Sequence, residues 1–194
     1  MKRILLALLL AAATGLSLAQ SGSAGLAVSG TVSGSVPAQA RVGGFVLDSS
    51  GAPVSELVSV PVNGGRFILE LPSVTPPQRS LSPLRPDGIF WPGVLEPITV
   101  TGQASSADLR FYVYGDGNGN GRRDETEALQ EAVPFVGKAV LVVSYSSAVA
   151  QVNAARGFQA NLKAGWNGLL IEVGKVVKVT SSSTVSGVSL NAQR

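Results

Sequence analysis

The chain has 194 residues, with 15 Lys+Arg against 12 Asp+Glu, 23 Gly, 11 Pro, and neither Cys nor His. Without His there is no Ser-His-Asp triad and no imidazole base, and without Cys there is no thiol nucleophile, disulfide or iron–sulfur cluster. The chemistry left is that of carboxylates, hydroxyls, amides and backbone carbonyls, which are the ligands of hard cations such as Ca²⁺.

Met1-Lys2-Arg3 is a short basic start, Ile4 to Ala13 is an unbroken apolar run, and Ser17-Leu18-Ala19 sets small residues before Gln20. This is the pattern of a cleaved secretory leader over residues 1–19. A retained anchor is the alternative, but the run is well short of the ~20 residues a membrane span needs. The expected location is therefore secreted: periplasm, cell surface or extracellular space, with no transmembrane segment after cleavage. Removing Lys2 and Arg3 lowers the basic count from 15 to 13 against 12 acids. A nearly neutral chain has no field to attract phosphates, so no nucleic-acid partner is expected. An exported chain without Cys must hold its core without disulfides.

After Gln20, period-2 alternation and β-branched residues dominate, and no long amphipathic helical period occurs. Residues 27–36 alternate Val or Thr with Gly and Ser, as an edge strand would. Arg41 to Asp48 reads as a strand, followed by a Ser-Ser-Gly-Ala-Pro turn. Leu57–Val62 and Arg66–Leu71 flank Asn63-Gly64-Gly65, a hairpin turn by composition. Residues 72–97 hold Pro72, Pro76, Pro77, Pro83, Pro86, Pro92 and Pro97, which prevent a helix or a central strand. Their apolar residues, Ile89-Phe90-Trp91 and Val94-Leu95, either plug the end of the fold or offer Trp91 and Phe90 to a partner or a sugar ring. Further strands are expected at Ile98–Gly102, Leu109–Tyr114, Gly137–Tyr145, Phe158–Lys163, Leu169–Val173 and Val176–Ser181, with Asn167-Gly168 as another hairpin turn. Asp124–Ala132 has the composition of a short helix. The echo between residues 30–36 and residues 184–189 reads as shared edge-strand composition.

The expected fold is all-β: one or two antiparallel β-sandwiches with at most one short helix. The organisation is a leader at 1–19, an N-terminal β half at 20–72, a Pro-rich connection at 73–97 and a C-terminal β half at 98–194. Val42 to Val54 followed by Asn63 to Pro72 resembles the carboxypeptidase regulatory-like, transthyretin-type β-sandwich. The shared pattern is a strand, Asp48, a Gly-x-Pro turn, an Asn-Gly turn and an aromatic strand. Such modules are structural or adhesive, and the resemblance implies no catalytic residue.

The most specific motif runs from Asp116 to Glu127. It matches the twelve-residue calcium loop, with candidate ligands Asp116, Asn118, Asn120, the Arg122 carbonyl, Asp124 and Glu127, and with Gly121 at the sharp turn. Alternate side chains of a curled loop can surround one Ca²⁺ ion, and three carboxylates offset its charge. The plain alternative is a flexible Gly/Asn turn, which accounts for the glycines but not for Asp124 and Glu127. A paired EF-hand is not expected: the eighth position, Arg123, is not apolar, and the approach Leu109–Tyr114 is a strand by propensity. A lone loop entered from a strand resembles the calcium sites of dockerins and of B-type immunoglobulin-like repeats in bacterial adhesins. That resemblance implies a calcium loop between strands of an Ig-like sandwich.

The reading is a secreted, calcium-stabilised β-sandwich with a structural or binding role at the cell envelope, its partner an unidentified protein or glycan. One alternative is a carbohydrate-binding module resting on Trp91, Trp166 and the aromatic run Phe111, Tyr112 and Tyr114, if the tyrosine face beside Trp166 is exposed. The other is a hydrolase using a carboxylate pair drawn from Asp48, Glu56, Glu70, Asp87, Glu96, Asp108, Glu131 and Glu172, none of which forms a recognisable motif. No enzymatic activity is expected.

Overall fold

A computed structural model describes residues 25–192, and the leader expected at 1–19 lies outside them. Among the described residues the fold is β throughout, with only three single-turn 3-10 segments for helix. The segment before the Pro-rich connection forms β1 (Leu26–Gly34), β2 (Ala40–Leu47), β3 (Pro53–Pro61) and β4 (Arg66–Leu71). The connection adds only β5 (Ser82–Pro83), as its prolines require. There follow β6 (Thr99–Thr101), β7 (Ser105–Gly115), β8 (Gln130–Val136), β9 (Ala139–Ser146) and β10 (Ala150–Ala154). The last four are β11 (Phe158–Leu162), β12 (Gly165–Val173), β13 (Val177–Ser182) and β14 (Thr184–Ala192). No helix among the described residues is long and apolar enough to cross a membrane.

Seven strands curl into a nearly closed, barrel-like ring in the order β3-β2-β7-β8-β14-β1-β4. The ring stops short of closure between β3 and β4. At the turn joining them, Asn63 and Arg66 exchange backbone hydrogen bonds of 2.9 and 3.0 Å. Beyond it β3 pairs with β2, and β4 with β1. β7 is long enough to serve four partners. It pairs along one edge with β2 and, at Ser105–Ser106, with β5, and along the other with β8 at Tyr112–Val113 and β9 at Ser106–Leu109. From β9 the sheet extends outward through β12 to β13, while β6, β10 and β11 form a separate three-stranded sheet. The β2–β7 and β1–β14 pairs join strands from either side of the Pro-rich connection, so both halves share one sheet.

Alternation explains the burial. Phe67, Leu69 and Leu71 of β4 point inward while Arg66, Ile68 and Glu70 face out. The ring interior is filled by side chains such as Val28, Val42, Phe111, Val113, Val143 and Leu190. A second core sits between the three-stranded sheet, the β9–β12–β13 extension and the Pro-rich connection, with Trp91 against Phe158. The connection's aromatics divide: Trp91 is 6% exposed and Phe90 is 88% exposed.

Four expectations are corrected. The strand at 27–36 is not an edge, because β1 lies between β4 and β14. Its echo near residue 184 is its own neighbour, and the two run parallel in an otherwise antiparallel sheet. Asn167-Gly168 is no turn: Gly168 lies inside β12, where a Cβ would come within 2.8 Å of the Ser182 carbonyl and 2.9 Å of Leu26. The turn comes earlier, at Lys163–Gly165, and Asn167 fastens it by donating to the carbonyls of Lys163 and Gly165 and accepting from Lys163 N–H. Asp124–Ala132 is turn and then strand, because Gln130–Val136 is drawn into the ladder with β14.

Candidate metal centre

β7 ends at Gly115, and residues 116–129 form an excursion before β8. The excursion is folded by its own polar groups. Asp116 is nearly buried, and its two carboxylate oxygens accept the N–H groups of Asn120 (3.1 Å) and Gly121 (2.9 Å). That curl needs Gly121 at φ +80°, a backbone conformation that costs glycine little. Asn118 and Asn120 each donate a side-chain N–H to the same oxygen of Asp124, at 2.6 and 2.9 Å. Glu127 reaches back across the loop to accept from Gly117 N–H at 2.8 Å and Asp124 N–H at 2.9 Å. Their amide oxygens are also engaged, Asn118 accepting Asn120 N–H and Asn120 accepting Arg122 N–H.

Contacts inside one loop therefore link Asp116, Asn118, Asn120, Asp124 and Glu127. Arg122 sits at the curl and is tied in by its N–H. No group of three or more His, Cys, Asp or Glu side chains gathers in metal-binding fashion among the described residues. The carboxylates are instead turned toward backbone and amide N–H groups. The donor set nevertheless fits a hard cation. Every candidate ligand is an oxygen, and Gly121 supplies the turn that keeps them within one loop. Asp116, Asn118, Asn120, the Arg122 carbonyl, Asp124 and Glu127 would hold the ion, which would replace N–H partners at the same oxygens and supply a cross-link rather than a reaction.

Two side chains outside the motif bind the loop to the barrel, besides the Gln39 carbonyl that accepts Asp116 N–H at 3.1 Å. Glu56 of β3 accepts the backbone N–H of Arg123 at 3.1 Å with one oxygen and the Tyr114 hydroxyl at 2.7 Å with the other. In paired calcium loops the eighth position bridges to the partner loop; here a strand carboxylate takes that place. Arg41 of β2 puts a guanidinium nitrogen 3.6 Å from Asp116 and also donates to Ser59, whose hydroxyl meets that of Tyr114. The sequence carries a signal for both: Arg41 and Glu56 are the only charged residues of β2 and β3. A lone charge among the apolar residues of a strand favours a partner when the fold covers it.

The excursion returns over the outer face of β2 and β7, where Leu129 covers Phe45, Tyr112 and Tyr114. Tyr112 stacks edge-on to Phe45, and burial together with Glu56 raises the pKa of Tyr114 to about 12. These tyrosines are packing residues. Trp166, half-buried, stacks edge-on to Tyr145 and donates its indole N–H to the Val74 carbonyl.

Among the carboxylates outside the loop, Asp108 is set apart by its surroundings. Desolvation raises its pKa above 3.8, against the opposing effects of the Ser144 hydroxyl and the Trp91 indole N–H. The folded chain thus holds this proton more tightly than the unfolded chain does. Stability contributed by Asp108 falls as pH rises from 3.8 through the higher folded value. Asp108→Asn keeps an acceptor for Trp91 and abolishes the fall. In urea melts from about pH 4 to about pH 7, the variant should gain on the parent as pH rises. A flat or opposite difference refutes this account.

No protein-family model, curated protein or solved structure matches this chain.

Proposed function

We propose that this is an extracytoplasmic β protein stabilised by calcium, with a structural or binding role and no catalytic one. The observation carrying the reading is the loop itself: five oxygen-bearing side chains at calcium-loop spacing, linked by mutual contacts and fastened to the barrel through Arg41 and Glu56. An ion there would tie the β7–β8 excursion down over Phe45, Tyr112 and Tyr114, coupling binding to folding. A sensor-type switch needs a helix pair that opens, and nothing of that kind flanks the loop among the described residues. The order of β2, the Asp48 turn, β3, the Asn63-Gly64 turn and β4 with Phe67 supports a transthyretin-like reading of residues 42–72. The leader-like pattern of the sequence at residues 1–19 supports export.

The test is a thermal melt of the chain from Gln20 onward, in chelator and in millimolar Ca²⁺, with Glu127→Gln as control. Extracellular calcium modules bind at ~10⁻⁴–10⁻³ M. At ten times its Kd an ion stabilises by about 1.4 kcal/mol, or roughly 3–6 °C at this length. That rise is expected in the parent and not in Glu127→Gln. Superimposable melts of the parent with and without several millimolar Ca²⁺ would reduce Asp116–Glu127 to a Gly/Asn turn.

A further inference from the structure

The most exposed aromatic of the described residues stands over a cleft of ligand size. Phe90, 88% exposed, and the neighbouring Trp91 line a cleft of about 500 Å³ between the Asp48–Gly51 turn, the Pro-rich connection and the start of β7. A smaller hollow of about 230 Å³ continues on the other side of the same two aromatics, sharing Asp108 and Arg110. The volume lies within the ~300–1,000 Å³ of small-molecule sites. Trp91 closes the base, its indole N–H fixed on the Asp108 carboxylate at 3.1 and 3.3 Å.

The lining argues for the ligand class. Four side chains are already committed: Asp48 caps its own turn, Asp108 accepts from Trp91, Ser80 donates to Pro77, and Arg110 pairs with Glu131 at 3.0 Å. Asp87, Ser49, Ser82 and Ser106 also line the cleft, and no hydrogen bond within the described residues occupies their side-chain oxygens. An anion would meet Asp48, Asp87, Asp108 and Glu131 with only a paired Arg110 to offset them. A purely apolar ligand would bury several hydroxyls without hydrogen-bond partners, which opposes its binding. A cation would find one uncommitted carboxylate rather than a converging set. A neutral sugar ring meets both demands, because its C–H face can lie on an exposed aromatic ring while its hydroxyls pair with serines and a carboxylate.

We propose that this cleft binds a neutral saccharide, with Phe90 as the stacking platform and Asp87, Ser82 and Ser106 as hydrogen-bond partners. The site is independent of the calcium loop. Ser106 and Gly115 lie at opposite ends of β7, about 30 Å apart at ~3.3 Å per residue.

Isothermal titration of the chain from Gln20 onward with cellohexaose, chitohexaose and maltohexaose tests the proposal, with chelator present throughout to separate it from calcium binding. At least one sugar is expected to bind. Phe90→Ala should weaken that binding at least tenfold and Asp87→Asn severalfold, with thermal melts unchanged because both side chains face solvent. Trp166→Phe should leave the affinity as it is. Absence of binding by all three sugars at millimolar concentration overturns the proposal. So does binding that survives Phe90→Ala, or a cleft that takes tetramethylammonium in preference to every sugar.

Discussion

Gly30→Ala is expected to destabilise the protein by about 3 kcal/mol or more, the upper range for forcing extra atoms into a packed site. β1 and β14 pair in parallel with a register jump: Val28 faces Val185, but Gly30 faces Val188. Two steps on β1 thus span three on β14, a bulge located at Ser186-Gly187, where Gly187 has φ +70°. The bulge drives the Val188 backbone against β1. A Cβ on Gly30 would lie 1.8 Å from the Val188 carbonyl oxygen and 2.6 Å from its carbon. Those are backbone atoms held in a ladder, so no rotamer change relieves the clash. The strands must separate or slip, and this pair is what closes the ring between β4 and β8. Hydrogen exchange should then lose protection across Leu26–Gly34 and Thr184–Ala192 together. Gly88→Ala, where a Cβ meets nothing within 4 Å, is the control and should stay within about 0.5 kcal/mol. Equal stabilities of the two variants in urea would disprove the role given to the bulge.

The same strand pair marks how far the sequence could be read. Alternation and turn composition locate β2, β4 and β7 well, since those signals act over a few residues. The Asn63-Gly64-Gly65 turn is where its composition puts it. What lies beyond its reach is the partner: hairpin logic would pair β3 with β4 along their length, yet each pairs with the strand on its far side. Nothing local in residues 30–36 and 184–189 announces parallel pairing between strands about 150 residues apart. Their Gly and Ser content was legible as weak packing, whereas its cause is close approach of two backbones. Gly168 misled similarly, since an Asn-Gly pair signals a turn only where no strand needs the space.

The internal contacts of the Asp116–Glu127 loop are legible because its residues are contiguous, and one loop brings them together. Its anchors are not, because Arg41 and Glu56 come from strands far away in the chain. The aromatic cluster shows the converse. Tyr112 and Tyr114 do alternate away from Phe111 and Val113, but the loop folds back and covers them. Alternation therefore gave the face and not its exposure.

Those anchors lead to the second large effect. Asp116→Ala should destabilise the chain in chelator, with no ion involved, by about 2–4 kcal/mol. The Asp116 side chain is 6% exposed; its loss leaves Gly121 N–H without its acceptor, leaves Asn120 N–H with only the Asn118 oxygen, and removes the counter-charge of Arg41. The Arg41 side chain is 16% exposed, so water recovers part of that loss and holds the effect below that of a wholly enclosed pair. Glu127→Gln, by contrast, keeps an oxygen for one N–H and should cost less than 1 kcal/mol or so in chelator. The two variants thus separate the loop's fold from its ion: the first lowers the melt in chelator and in Ca²⁺ alike, the second only removes the calcium gain. Arg41→Met completes a double-mutant cycle with Asp116→Ala, and a coupling of about 1 kcal/mol or more is expected for groups in contact. Arg41→Met should also tighten calcium binding severalfold, because a guanidinium 3.6 Å from Asp116 opposes a second cation at that carboxylate. Weaker binding in Arg41→Met would mean that Arg41 orients Asp116 for the ion rather than competing with it, and a vanishing coupling would remove Arg41 from the account of the loop altogether.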